Sequence, residues 1–139
     1  MIAPDTSVLV AGFVPDHPFH AVAEEALAEV RASGCLVAHT TAETYAVLSA
    51  PGGVYRVAPE TSVAYLDDLL GESVPVQPRA GAYREALDLL SGHGRGGSAI
   101  YDALIALAAR DGKATLVSLD RRAARTYELC GIEARLLEG

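Results

Sequence analysis

Cysteine, lysine and long apolar runs are all scarce in this chain, and each scarcity removes a class of protein. The two cysteines, Cys35 and Cys130, lie far apart with no second thiol near either. That spacing builds neither a zinc site nor a disulfide framework, so both are expected as small buried hydrophobes in a reducing compartment. The longest purely apolar run on a helical stretch, Ala103–Ala109, falls far short of the ~18 residues a membrane span needs, and no signal peptide is evident. A soluble, cytoplasmic protein with no membrane partner is therefore expected. No G-x-S-x-G elbow occurs, which removes the usual serine-hydrolase arrangement. Basic charge is also sparse: 11 Lys and Arg stand against 18 Asp and Glu, for a net charge of −7. A generic polyanion binder would not be built this way.

What is present points elsewhere. The 139 residues fit one domain, 1–139, and half of them are hydrophobic, enough for a continuous core. The charge is unevenly placed. Residues 1–78 hold 2 basic and 10 acidic residues (net −8), whereas residues 79–139 hold 9 basic and 8 acidic ones (net +1). Ten of the 11 basic residues are arginine, the side chain that forks onto phosphate. An acidic chain of this kind can meet RNA if metal ions neutralise its most negative pocket.

Strand and helix signals alternate along the chain. Strands are expected at 1–4, Cys35–Ala38, Val74–Gln77, Thr115–Leu119 and Ile132–Leu137. Helices are expected at Thr6–Phe13, His17–Ala32, Thr41–Ala50, Glu60–Leu70, Ala80–Leu90, Ser98–Arg110 and Arg121–Leu129. Strands separated by helices imply an α/β fold, with a central, mostly parallel sheet between two helical layers. In such sheets ligands bind beyond the carboxyl ends of the strands.

Four acids stand at or near those ends: Asp5 after the first strand, Glu43 in the helix after the second, Asp102 early in the apolar helix, and Asp120 after the clearest strand. Each also has a purely structural reading. Asp5 and Asp120 suit helix N-caps, Asp102 complements a helix dipole, and Thr40 with Glu43 spells a capping box. Taken together they say more. Four carboxylates in one pocket stay ionised only if cations offset their repulsion, and hard oxygen ligands suit Mg²⁺ or Mn²⁺. Such ions can activate water against a phosphodiester.

The blocks Asp5-Thr6-Ser7-Val8-Leu9, Thr41-Ala42-Glu43-Thr44, Tyr101-Asp102-Ala103-Leu104-Ile105-Ala106 and Leu116-Val117-Ser118-Leu119-Asp120-Arg121 resemble the motifs of the PIN-domain family, especially its VapC-type toxins. The resemblance implies a three-layer α/β/α domain that cuts RNA as a metal-dependent endoribonuclease. It implies a homodimer acting as the toxin of a toxin–antitoxin pair, held inactive by a cognate antitoxin. Asp5, Glu43, Asp102 and Asp120 would be its catalytic and metal-site acids, supported by Ser118 and Thr6. Two departures stand out. Pro4 occupies an apolar strand position, and the further acid that some members carry after the third block is absent.

Other signals are weaker. Gly92–Gly97 matches G-x-G-x-x-G, but a helix and not a strand precedes it, so a flexible loop is expected. From that loop His93 and Arg95 could contact phosphate. Arg121, Arg122 and Arg125 follow Asp120 and either position phosphate or pair with Glu128. His17, His20 and His39 read as surface or helix-start residues, since no third zinc ligand accompanies the His17–His20 spacing. Two alternatives were weighed: an aspartate-based phosphatase or phospho-acceptor domain, and a degenerate PIN-like module that only binds RNA or protein. The former lacks a second Asp, because Ser7 stands two residues after Asp5, and Lys113 precedes its strand instead of ending it.

Overall fold

A computed structural model describes residues 1–139. Three strands, β1 (Ile2–Pro4), β2 (Thr115–Ser118) and β3 (Arg135–Leu136), form a parallel sheet in that spatial order. Ile2, Ala3 and Pro4 pair with Thr115, Leu116 and Val117, and Val117 and Ser118 pair with Arg135 and Leu136. The helices are α1 (Thr6–Phe13), α2 (His20–Ser33), α3 (Ala38–Ser49), α4 (Pro59–Leu70), α5 (Ala82–Gly92), α6 (Ala99–Asp111) and α7 (Arg121–Leu129).

Strand side chains alternate between faces, and this divides the core in two. Ile2, Leu36 and Val117 pack with Leu9 of α1, Leu27 and Val30 of α2, and Leu66 and Leu69 of α4. Ala3, Val37 and Leu116 pack on the opposite side with α5, α6 and α7. The three-layer α/β/α arrangement expected from the sequence is thus realised. α6 is buried continuously from Ala103 to Ala109, as a helix apolar on every side requires. Cys35 and Cys130 are free thiols within the second core, as expected.

Two expected strands are reduced to fragments. Cys35–Ala38 was expected to be a strand, yet only Val37 makes a bridge, to Val76, and that bridge is also all that remains of the expected strand Val74–Gln77. The Cys35 N–H donates to the Ile2 carbonyl at 2.9 Å. A parallel ladder would continue with a bond from residue 4 back to Cys35, and Pro4 has no N–H to give. Proline here truncates the neighbour of β1 without disturbing β2, because the Asp5 N–H still reaches the Val117 carbonyl at 2.9 Å. The final strand shrinks from Ile132–Leu137 to Arg135–Leu136.

Several helix ends also shift. α2 starts at His20 and not at His17, since Pro18 biases His17 away from helical backbone and residues 14–19 form turns. α3 starts at Ala38, three residues before the expected start, and the Thr40 and Thr41 hydroxyls bond back to the Val37 and Ala38 carbonyls at 2.6 Å each. α5 and α6 are displaced by one or two residues toward the carboxyl end.

The return from α2 toward β1 runs through Gly34. A Cβ there would lie 2.6 Å from the Val30 Cα and 2.8 Å from the Ile2 carbonyl oxygen, both backbone atoms that cannot swing aside. Gly34→Ala is expected to lower stability by about 1–3 kcal/mol, read as a lower urea midpoint at unchanged m-value. An unchanged midpoint would mean that this turn is loose.

Candidate active site

β1 ends at Pro4, and the next residue is both the cap of α1 and a buried acid. Asp5 is 3% exposed. Its Oδ1 accepts the Val8 N–H at 3.3 Å and the Ser7 hydroxyl, and its Oδ2 accepts the Tyr127 hydroxyl at 2.9 Å. Burial raises the Asp5 pKa, while hydrogen bonds from Ser118, Ser7, Tyr127 and Val8 pull the other way. The Ser7 oxygen also accepts the Leu119 N–H at 2.9 Å, tying α1 to the end of β2. Ser118, fully buried, accepts the Asp120 N–H at 2.9 Å.

The parallel register of β1 and β2 delivers Asp5 and Asp120 to the same sheet edge. Asp120 caps α7 through bonds from the Arg122 and Ala123 N–H groups at 2.9 and 3.3 Å. Glu43 enters from α3. It takes no part in the capping box that the Thr40–Glu43 spacing suggests: the cap of α3 is Val37, and Thr40 lies inside the helix. Its Oε1 instead accepts the Thr6 hydroxyl at 2.9 Å. The other carboxylate oxygen lies 3.9 Å from His39 Nε2, which is buried without a hydrogen-bond partner. The His39 ring stacks on Tyr101, with centroids 5.1 Å apart. His39 stands at a helix start, as expected, being the second residue of α3. Asp102 sits in the first turn of α6, after the glycine loop.

All four acids line one cleft of about 730 Å³, together with Thr6, Ser7 and Tyr127. A second cleft of about 440 Å³ adjoins it, sharing Glu43, Asp102, Asp120 and Arg122 and adding Arg95. The electrostatic consequence falls on Asp102. Its pKa is pushed up to about 6, first by burial and then by the negative charges of Glu43, Asp120 and Asp5, with Arg122 opposing. No three His, Cys, Asp or Glu side chains converge tightly enough to form a ready-made ion cage. A set of four hard carboxylates that destabilise one another's charge fits a divalent cation of the Mg²⁺ or Mn²⁺ kind.

Eight of the ten arginines fall into two groups. Arg31, Arg79, Arg84, Arg110 and Arg135 form ion pairs with carboxylates remote from the cleft. Arg95, Arg121 and Arg122 form none and line the two clefts. Arg125 is also unpaired but lines neither cleft, and the pairing of this trio with Glu128 is not formed. His93 caps its own helix, bonding the Leu89 carbonyl at 2.8 Å, and lines neither cleft. Tyr127, Ser7 and His17 line the first cleft without having been singled out as site residues. Tyr127 reads in sequence as an ordinary core aromatic of an amphipathic helix, so its hydroxyl's destination was invisible.

Comparison with known proteins agrees with this geometry. The PIN domain family model matches residues 2–129. The chain belongs to the PIN domain family. This PIN domain is 41% identical over 137 residues to Ribonuclease VapC40 of Mycobacterium tuberculosis, covering 99% of each chain. It is 34% identical over 131 residues to Ribonuclease VapC27 of the same organism, covering 94% of this chain and 93% of that one. Its fold is similar to the crystal structure of FitAcB from Neisseria gonorrhoeae, with a TM-score of 0.65 at 17% identity, covering 97% and 96% of the two chains.

The raised Asp102 pKa has a direct consequence for the metal-free protein. An acid whose folded pKa of about 6 exceeds its ordinary value of 3.8 costs stability when ionised, and that cost fades as pH falls through this window. Asp102→Asn is therefore expected to melt higher than wild type at pH 8 in chelator. The difference should narrow between pH 6 and pH 4 and vanish below, by calorimetric scanning. A lower melting temperature for the variant at pH 8 would mean that the carboxylates are not in conflict.

Proposed function

We propose that this chain is a metal-dependent endoribonuclease of the VapC type, hydrolysing phosphodiester bonds of RNA with Mg²⁺ or Mn²⁺. It acts in the cytoplasm as a homodimer and as the toxin of a toxin–antitoxin pair, held in check by a cognate antitoxin. The observation that carries the reading is the convergence of Asp5, Glu43, Asp102 and Asp120 on one cleft, where burial and then the charges of the other three push up the pKa of Asp102. Similarity to two proteins named as VapC ribonucleases supports it. No helix is long and apolar enough to cross a membrane.

Asp5, Glu43, Asp102 and Asp120 would hold the cation. When bound, it lowers the pKa of a nearby water and offsets charge developing on the phosphate. The chain's own groups do the positioning. Ser7, Tyr127 and the Val8 N–H fix the plane of the Asp5 carboxylate, and the Thr6 hydroxyl fixes Glu43. Ser118 holds the turn that presents Asp120. Arg122 and Arg95, free of ion pairs, hold substrate phosphates on one side of the acids, and Arg121 does so at the first cleft. Arg125 lies outside both clefts.

The alternatives fare worse. A phosphatase would want a second Asp two residues after Asp5, and Ser7 stands there with its hydroxyl donating to the Asp5 carboxylate. A degenerate binding module would have no need for four acids in one cleft.

The test is cleavage of a mixed single-stranded RNA pool with Mg²⁺, Mn²⁺ or EDTA. Asp102→Asn is the cleaner control, because Asp5 also caps α1. Metal-dependent cutting is expected in wild type, lost in Asp102→Asn and in Asp5→Asn. Cutting that survives EDTA would overturn the metal role. Arg122→Ala should weaken RNA binding and reduce the slope of log affinity against log salt by about 1. An unchanged slope would remove Arg122 from the substrate path.

A further inference from the structure

The first cleft is not uniformly polar. Beside the carboxylates it is lined by Phe19, Val47 and His17 together with Arg121 and Arg122, while the adjoining cleft adds Arg95 to Arg122. Phe19 belongs to neither hydrophobic core and is 39% exposed; Val47, on α3, is 41% exposed. The turn between α1 and α2 holds the ring in place. His17 Nδ1 accepts the Phe19 N–H at 3.1 Å, the two rings lie 6.1 Å apart, and a Cβ at Gly139 would lie 2.8 Å from the phenyl ring. The ring thus lines the cleft that holds the four carboxylates while remaining outside both hydrophobic cores.

Charge complementarity says what passes through. A strand with a phosphate over the acids would lay its next phosphates along the unpaired Arg122 and Arg95. In the first cleft the strand meets Phe19, Val47 and His17 as well as Arg121, and an apolar and aromatic wall beside a phosphate-holding cation suits the attached base. We propose that Phe19 and His17, facing the cleft with Val47, form a subsite for one unpaired nucleobase of the RNA strand. The proposal rests on the ribonuclease reading and sharpens it. A base can stack on Phe19 only when it is unstacked from its own neighbours, so this subsite selects single-stranded over duplex RNA.

The chain has no tryptophan, so Phe19→Trp introduces a single fluorescent reporter at the subsite. In the Asp102→Asn background, where a strand is held uncut, two readouts run together: tryptophan emission and the anisotropy of end-labelled strands. The strands are a mixed-sequence single-stranded RNA, its duplex, and a fully abasic ribose-phosphate strand. Single-stranded RNA is expected to quench the tryptophan, while the abasic strand binds without quenching. In the same background, Phe19→Ala should weaken binding of the base-bearing strand about tenfold. It should leave abasic-strand binding unchanged, and on the otherwise wild-type chain divalent-metal binding by calorimetry should also be unchanged.

RNA that binds without quenching, and with equal affinity to Phe19→Ala, would overturn the subsite and leave the ribonuclease reading standing. Equal weakening of the base-bearing and abasic strands would also overturn it, since Phe19 would then act on the loop and not on a base. If wild type neither binds nor cuts any strand with any metal, the ribonuclease reading fails and the subsite falls with it.

Discussion

Asp5 is a carboxylate removed almost entirely from water at the end of the first strand, and much of the surrounding architecture answers to it. A buried carboxylate needs its oxygens satisfied, and the partners come from three separate stretches of chain: Ser7 and Val8 of α1, Ser118 at the end of β2, and Tyr127 of α7. Those bonds tie α1 and α7, which lie in different helical layers, across the strand ends. The carboxylate is held firmly, and its orientation toward the cleft is settled before any ligand arrives.

The same arrangement keeps the site in electrostatic tension. Glu43, Asp102 and Asp120 approach from a helix in mid-course, a helix start and a strand end, and the burden appears at Asp102, the partly buried member flanked by the rest. A bound cation would relieve this repulsion. The chain's overall negative charge therefore does not oppose an RNA substrate. Only four of the 18 acids line the cleft, and the arginines that line it or the adjoining cleft, Arg95, Arg121 and Arg122, form no ion pairs. Net charge was a poor guide to function, and its local distribution was a good one.

Much of the framework was legible because it rests on local signals. α1 and α7 have the bounds their periodicity and caps suggest, and Asp5 and Asp120 do cap them. Capping and ligand duty are compatible here, because a cap leaves the carboxylate with lone pairs to spare; the two readings of these acids were not rivals. The expectations that failed did so where one residue's backbone chemistry overrode a pattern. Pro4 could not return a bond to Cys35, so an apolar strand pattern produced only a bridge. Thr40 bonded its own helix, so a capping-box pattern left Glu43 free for the cleft.

By itself the sequence determined the alternation of elements, the two-faced burial of the strands and the placing of acids near strand ends. These depend on residue spacing and on hydrogen bonding within a few positions. Only the tertiary structure decided which groups meet. Tyr127 lies 122 residues from the Asp5 it bonds, and Thr6 lies 37 from Glu43. It also decided that Arg122 lines the cleft while Arg125, three positions on, does not, and that Phe19 overlooks the acids. Such meetings are set by strand register and by how helices pack across a sheet, and neither leaves a local trace in the chain.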